Sequence, residues 1–169
     1  MRQAKEISHT VALKHQLNTE HYFLLQQNQD AIQQGSFHND IVSLSNENIF
    51  IAHEKAFEDR TALNQIMRVL KNNVSNFQFI EIKENEIPLK DIIKSYLLNS
   101  QLVSTTDGEM LMILPADVRN FDNCMQWIDK LKQISPVKKF EFVDIKQSMM
   151  NGGGPAVSYT HLRAHETSY

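Results

Sequence analysis

Along this 169-residue chain the spacing of apolar positions changes several times, and each change predicts an element. From Arg2 to about Leu17, Ala4, Ile7 and Val11 recur at helical spacing among polar residues, which predicts an amphipathic surface helix lying on something larger. HYFLLQQ (21–27) reads as a strand, and a loop through Gly35 then leads into HNDIVSLS (38–45) and NIFIAH (48–53). These last two are strands joined by a tight Asn-Glu turn, a hairpin. After Glu58 and Asp59, which suit a helix start, Leu63, Ile66, Met67 and Leu70 mark one apolar face at i, i+3, i+4 and i+7. FQFIEI (77–82) is the next strand, and Pro88 opens a helix that turns Leu89, Ile92, Ile93, Tyr96 and Leu97 inward.

The same order then returns. A hairpin across Asp107-Gly108 has MLMIL (110–114) as its second strand, a helix places Phe121, Cys124, Ile128 and Leu131 inward, and FEFVDI (140–145) closes the unit as a strand. Corresponding turns and strands are separated by roughly sixty positions, so the chain reads as two strand-strand-helix-strand repeats of an α/β protein. Units of this kind need neighbours on both sides, and further copies are expected upstream.

Composition narrows the classes. The net charge is −3 with a sequence pI near 6.1, and no basic block is present to neutralise a phosphate backbone, so no nucleic-acid partner is expected. No apolar run approaches the roughly 20 residues of a membrane span, and MRQAKEISHT lacks the apolar stretch of a signal peptide, so neither a membrane partner nor secretion is expected and the chain reads as cytoplasmic. The single cysteine, Cys124, excludes an internal disulfide framework and a cysteine-based zinc site. Past NGGGPA (151–156) the segment Val157–Tyr169 loses all strand or helix period. Its His161 and His165 suggest a metal-binding tail, but the segment resembles a translated sequencing adapter. We therefore take 1–156 as one domain, or the C-terminal part of one, and 157–169 as a non-native tail.

Several residues have the chemistry of a site. In FHND (37–40), His38 and Asp40 stand at i, i+2 at the opening of the expected strand, where both side chains would share one face and act on one ligand. From these four residues alone, a hydrogen-bonded strand-end histidine and a turn-accepting aspartate are the more ordinary reading. NGGGP (151–155) suits close passage of backbone past a ligand, or a flexible linker; it lacks the Lys-Ser/Thr of a phosphate-binding loop. Arg2 can grip a carboxylate through its planar fork, or simply be solvated. Cys124 lies on the apolar stripe of its helix beside Trp127 and Ile128, where a thiol is a small core hydrophobe with a raised pKa. His53-Glu54 is not half of a zinc-protease motif, because no second histidine follows at the needed spacing.

Taken together, RQA (2–4), QNQDAIQQGSFHND (27–40), SYLLNSQLV (95–103) and DIKQSMMNGGGPA (144–156) resemble the N-succinylarginine dihydrolase family across nearly all of residues 2–156. The resemblance implies the pentein fold, a β/α-propeller of five strand-helix units around a central pocket, of which this chain would hold about two. It also implies hydrolysis of N2-succinylarginine to N2-succinylornithine, two ammonia and carbon dioxide in arginine catabolism, with no cofactor and no metal. In the family pattern His38 is the acid–base residue, Asp40 holds the guanidinium, and Arg2 and Asn151 contact substrate, Arg2 on a carboxylate. A nucleophilic cysteine is expected after Ala156, where this sequence has Val157, and the glutamate that partners the histidine lies upstream of it. The polypeptide as written is therefore expected to be an inactive fragment of an enzyme that is a homodimer at full length. The alternative is a non-catalytic α/β small-molecule-binding or regulatory module that holds an anion at its glycine loop.

Overall fold

In the computed structural model, residues 4–19 and 22–145 are described. The first helix, α1, spans Lys5–Lys14, with Glu6 in its first turn and Lys14 in its last, each sign matching its end of the helix dipole. Ala12 is its one buried residue, while Ile7 and Val11 are 53% and 45% exposed, so the expected inward stripe of Ala4, Ile7 and Val11 is not covered by the described chain. Of the strand expected over 21–27, the described residues 22–27 form no ladder. A strand needs a partner along its length, and this segment meets one only at its end. There Gln27 makes a single bridge to Phe57, with the Glu58 and Asn28 amides bonding the Gln26 and Ala56 carbonyls at 3.0 Å. Asn28 instead caps a short helix, α2 (Gln29–Gln33), by accepting the Ala31 N–H.

The first unit consists of β1 (Ser43–Asn46), β2 (Ile49–His53), α3 (Arg60–Asn73) and β3 (Gln78–Ile82). β1 and β2 pair antiparallel, with Asn46 opposite Ile49, and β3 lies parallel to β2, with Ile49 beside Gln78 and His53 beside Ile82. Asp59 caps α3 through the Ala62 N–H at 2.9 Å, and Leu63 on the expected apolar face is sealed. After Pro88 comes α4 (Leu89–Ser95), which ends where Tyr96 takes a left-handed φ of 55° and the chain tightens into a 3-10 turn, Leu97–Asn99.

The second unit repeats the plan with β4 (Gln101–Ser104), β5 (Met110–Pro115), α5 (Asp122–Ile134) and β6 (Val137–Val143). β4 and β5 are antiparallel, β5 and β6 parallel, and Gly108 supplies a φ of 81° in the hairpin loop, a conformation that suits glycine. The described residues thus form a mixed α/β protein with two three-stranded sheets, β1-β2-β3 and β4-β5-β6, and five α-helices, and the repeat expected from the sequence is present in both pairing and order.

The two units share one core. Ile49, Ile51 and Ile82 of the first pack in a single cluster with Met112, Leu114 and Leu131 of the second, and Leu97 and Leu98 of the connecting turn join them. Each such side chain contributes about 1.5–3 kcal/mol through burial. A second cluster around Ala31, Val42, Ala52, Phe57, Leu63 and Leu89 fastens α2, α3 and α4 to the other side of the first sheet. Between the sheets, Asn46 donates to the Ser104 hydroxyl at 2.9 Å, and that hydroxyl donates to the Glu47 carboxylate at 2.6 Å.

Candidate functional site

His38 and Asp40 lie just ahead of β1, and the geometry expected of them needs correction. The strand begins only at Ser43; His38 precedes a 3-10 turn, Asn39–Ile41, that contains Asp40. The alternation of a strand therefore does not apply between them. Local side-chain bonds explain the turn, since Asn39 Nδ2 donates to Ser43 Oγ at 2.6 Å, Ser43 Oγ donates to the Asn39 carbonyl at 3.1 Å, and the Val42 N–H reaches the same carbonyl at 3.0 Å. Such side-chain to backbone bonds compete with a ladder and here displace it.

Both residues are exposed, yet the backbone that carries them is fixed. Gly35, at φ 111°, reverses the chain after α2, a conformation in which any side chain would be strained. The Ser36 N–H bonds the Ala31 carbonyl at 2.9 Å, and Ser36 is wholly buried. Its hydroxyl donates to the His38 carbonyl at 3.2 Å, while Gln27 Nε2 donates to both the Ser36 carbonyl and the Ser36 hydroxyl at 2.8 Å. From the second unit, buried Asn99 donates to the Asp40 carbonyl at 3.3 Å. Sequence reasoning missed Gln27, Ser36 and Asn99. Only the polar character of QNQDAIQQGS immediately before FHND, and the polar run that Asn99 opens after the paired leucines, hinted at them.

Arg2, Asn151, the NGGGP loop, and the segment from Val157 onward lie outside the described residues. Cys124 is fully buried on α5, its Sγ 3.6 Å from the Ser95 hydroxyl, and burial pushes its thiol up to about 11. A thiol there is protonated near neutrality and sheltered from substrate, as the apolar stripe predicted. Among the described residues, no group of three or more histidine, cysteine, aspartate or glutamate side chains is placed to hold a metal ion, and no helix is long and apolar enough to cross a membrane. An open groove of about 550 Å³ beside α3 and β3 is lined by Arg68, Lys71, Phe77 and Phe79, and includes neither His38 nor Asp40.

His53 is the structural counterpart of His38. Sealed at the end of β2, it accepts the Lys55 N–H on Nδ1 at 3.1 Å, which leaves Nε2 protonated and facing the Ile87 carbonyl at 3.1 Å and Glu84 at 3.3 Å. Burial lowers its pKa from 6.5, against the opposing pull of the Ile87 carbonyl and of Glu84 and Glu54. The folded state thus resists a proton that the unfolded chain accepts. Its contribution is fully present above pH 6.5 and is lost as pH falls toward the lowered value, at no more than about 1.4 kcal/mol per pH unit. Partial burial pushes the Glu84 carboxyl up, but the Leu89 N–H and Lys55 together hold it below its ordinary range. Urea denaturation of this chain between pH 7 and pH 5 should show falling stability, and His53→Gln should flatten that fall. An equal slope in both proteins would contradict the assignment.

The described residues thus form a mixed α/β chain that presents an exposed histidine and carboxylate on a braced turn and keeps its one thiol buried. The sequence profile of succinylarginine dihydrolase matches residues 1–166. The chain is 39% identical over 158 residues to the N-succinylarginine dihydrolase of Idiomarina loihiensis, covering 92% of this chain and 35% of that protein. Against the N-succinylarginine dihydrolases of Shewanella amazonensis and Pseudoalteromonas atlantica the identities are 36% and 39%, each covering 98% of this chain and 37% of the relative. The chain belongs to the succinylarginine dihydrolase family, and it spans about a third of the length of the curated relatives it matches.

Proposed function

We propose that this chain supplies His38, Asp40, Arg2 and Asn151 to the active site of an enzyme that hydrolyses N2-succinylarginine, within a pentein ring of which it forms about two units. The observation that carries this reading is the turn at 38–41: it offers a proton-transfer group and a carboxylate to solvent on a backbone fixed from inside, in a chain whose relatives are named for this hydrolysis. A guanidinium carbon is deactivated by resonance, so a thiolate attacks it, ammonia leaves, and water then cleaves the thiouronium. That first round leaves a ureido group; a second attack, ammonia loss and hydrolysis leave a carbamate that falls to the amine and carbon dioxide. Two waters and one guanidino group thus give the amine, two ammonia and carbon dioxide. His38 protonates the departing ammonia and takes a proton from the attacking water. Asp40 holds the guanidinium by charge-assisted hydrogen bonds, Asn151 contacts the substrate, and Arg2 pairs with one of its carboxylates.

The nucleophile belongs after Ala156, where this sequence has Val157, and we read 157–169 as foreign to the enzyme. The polypeptide is on this reading an inactive part of a cytoplasmic protein that dimerises at full length. It should release no ammonia from N2-succinylarginine above a buffer blank, and Val157→Cys alone should leave it silent, because the partnering glutamate is supplied by sequence upstream. Ammonia release that disappears in Cys124→Ala would overturn the reading, as would substantial turnover after Val157→Cys alone.

A further inference from the structure

The polar side chains behind the 38–41 turn form two braces that come from three separate stretches of sequence. On one side the Gln27 amide spans the loop to bond both oxygens of Ser36, and the Ser36 hydroxyl passes that restraint to the His38 carbonyl. Gln27 is itself held in place by its bridge to Phe57. On the other side Asn99, just before β4, reaches across from the second unit to the Asp40 carbonyl. Ser36 and Asn99 are both buried, where an unpaired hydroxyl or amide is costly, so their partners matter to where the turn can sit. Neither brace belongs to a sheet ladder. Each ends on the backbone of a residue assigned above to chemistry, and each ties the locally bonded turn to a different part of the fold.

We infer that Gln27 and Ser36 are positioning residues for His38, and Asn99 for Asp40, which sets where the proton carrier and the guanidinium-binding carboxylate stand. The inference rests on the site reading given above. Geometry of this kind is worth much in rate, since a displacement of about 1 Å can cost on the order of 100-fold. The two braces should also fail differently, because one acts on a group that moves protons and the other on a group that binds.

The test is steady-state kinetics with N2-succinylarginine in the full-length protein that carries this segment. Gln27→Met and Ser36→Ala should each lower kcat by roughly 10- to 100-fold with little change in KM, and should shift the limb of the pH–rate profile that His38→Ala abolishes. Ser36→Thr, which keeps the hydroxyl, should recover most of the rate. Asn99→Leu should raise KM and lower kcat together. Where an apolar replacement prevents folding, Gln27→Glu and Asn99→Asp keep the shape without the donor and carry the same expectation. Unchanged kcat, KM and pH profile in the folded variants, with His38→Ala inactive, would overturn the inference alone. A His38→Ala protein with full turnover would instead remove the site reading beneath it. Rate losses that only track a lowered Tm, with no change in the pH profile and no rescue by Ser36→Thr, would reduce the braces to ordinary packing and also overturn it.

Discussion

His38→Ala in the full-length protein should lower kcat for N2-succinylarginine by about 10²–10⁴-fold, the usual worth of one proton-transfer group, while Tm stays close to that of the parent. The second half of the expectation follows from the structure. His38 is exposed, and the Ser36 hydroxyl and the Ile41 amide both bond its backbone carbonyl, which alanine retains. On the roles proposed here, without the imidazole the leaving ammonia is not protonated, so rate should fall further than binding. On the same proposal Asp40→Ala should behave otherwise, with the guanidinium losing an ionic partner and kcat/KM falling through both of its parts. Here too the Asn99 bond ends on a main-chain oxygen and survives the substitution. Near-normal turnover by His38→Ala with an unchanged Tm would return His38 to the role of a hydrogen-bonded turn residue, and the catalytic assignment would have to be withdrawn.

Leu98→Ala should destabilise the chain by about 2–5 kcal/mol, the range for removing a large buried side chain that leaves a cavity. Leu98 is fully buried in the connecting turn and belongs to the cluster that holds Ile51 of β2 together with Met112 of β5. Because that cluster is common to both units, the loss should not be confined to one of them. Amide exchange should accelerate in β2 and β5 to a similar degree, with a single denaturation transition. Two transitions, or exchange that quickens on one side only, would mean that the repeats unfold independently.

Periodicity made the repeated part of this molecule legible. Leu63, Ile66, Met67 and Leu70, and Cys124, Ile128 and Leu131, fix two helices by spacing alone, because each faces a sheet that gives the pattern its meaning. The segment 21–27 misled for the opposite reason: HYFLLQQ has the composition of a strand, but among the described residues it meets a partner only at Gln27. At 38–42 the competition was local. Asn39 and Ser43 satisfy each other at 2.6 Å, a bond no hydropathy pattern reveals, and it turns a would-be strand into a tight bend. The residues His38 and Asp40 could be picked out from their types, whereas the braces could not. Gln27 and Asn99 reach the turn from separate parts of the fold, and only the tertiary structure brings them there.

The concealment of Cys124 has a practical side. Thiol-directed reagents act on the thiolate, and a fully buried thiol displaced to about 11 offers them almost none at neutral pH. The chain is therefore a natural blank for maleimide or nitroxide chemistry. A reporter cysteine introduced at Phe37, which is 58% exposed beside the histidine, could be labelled selectively without first deleting the native thiol. Fluorescence from such a label would follow the 38–41 turn directly. Slow incorporation at Cys124 would in turn serve as a clock for opening of the shared core.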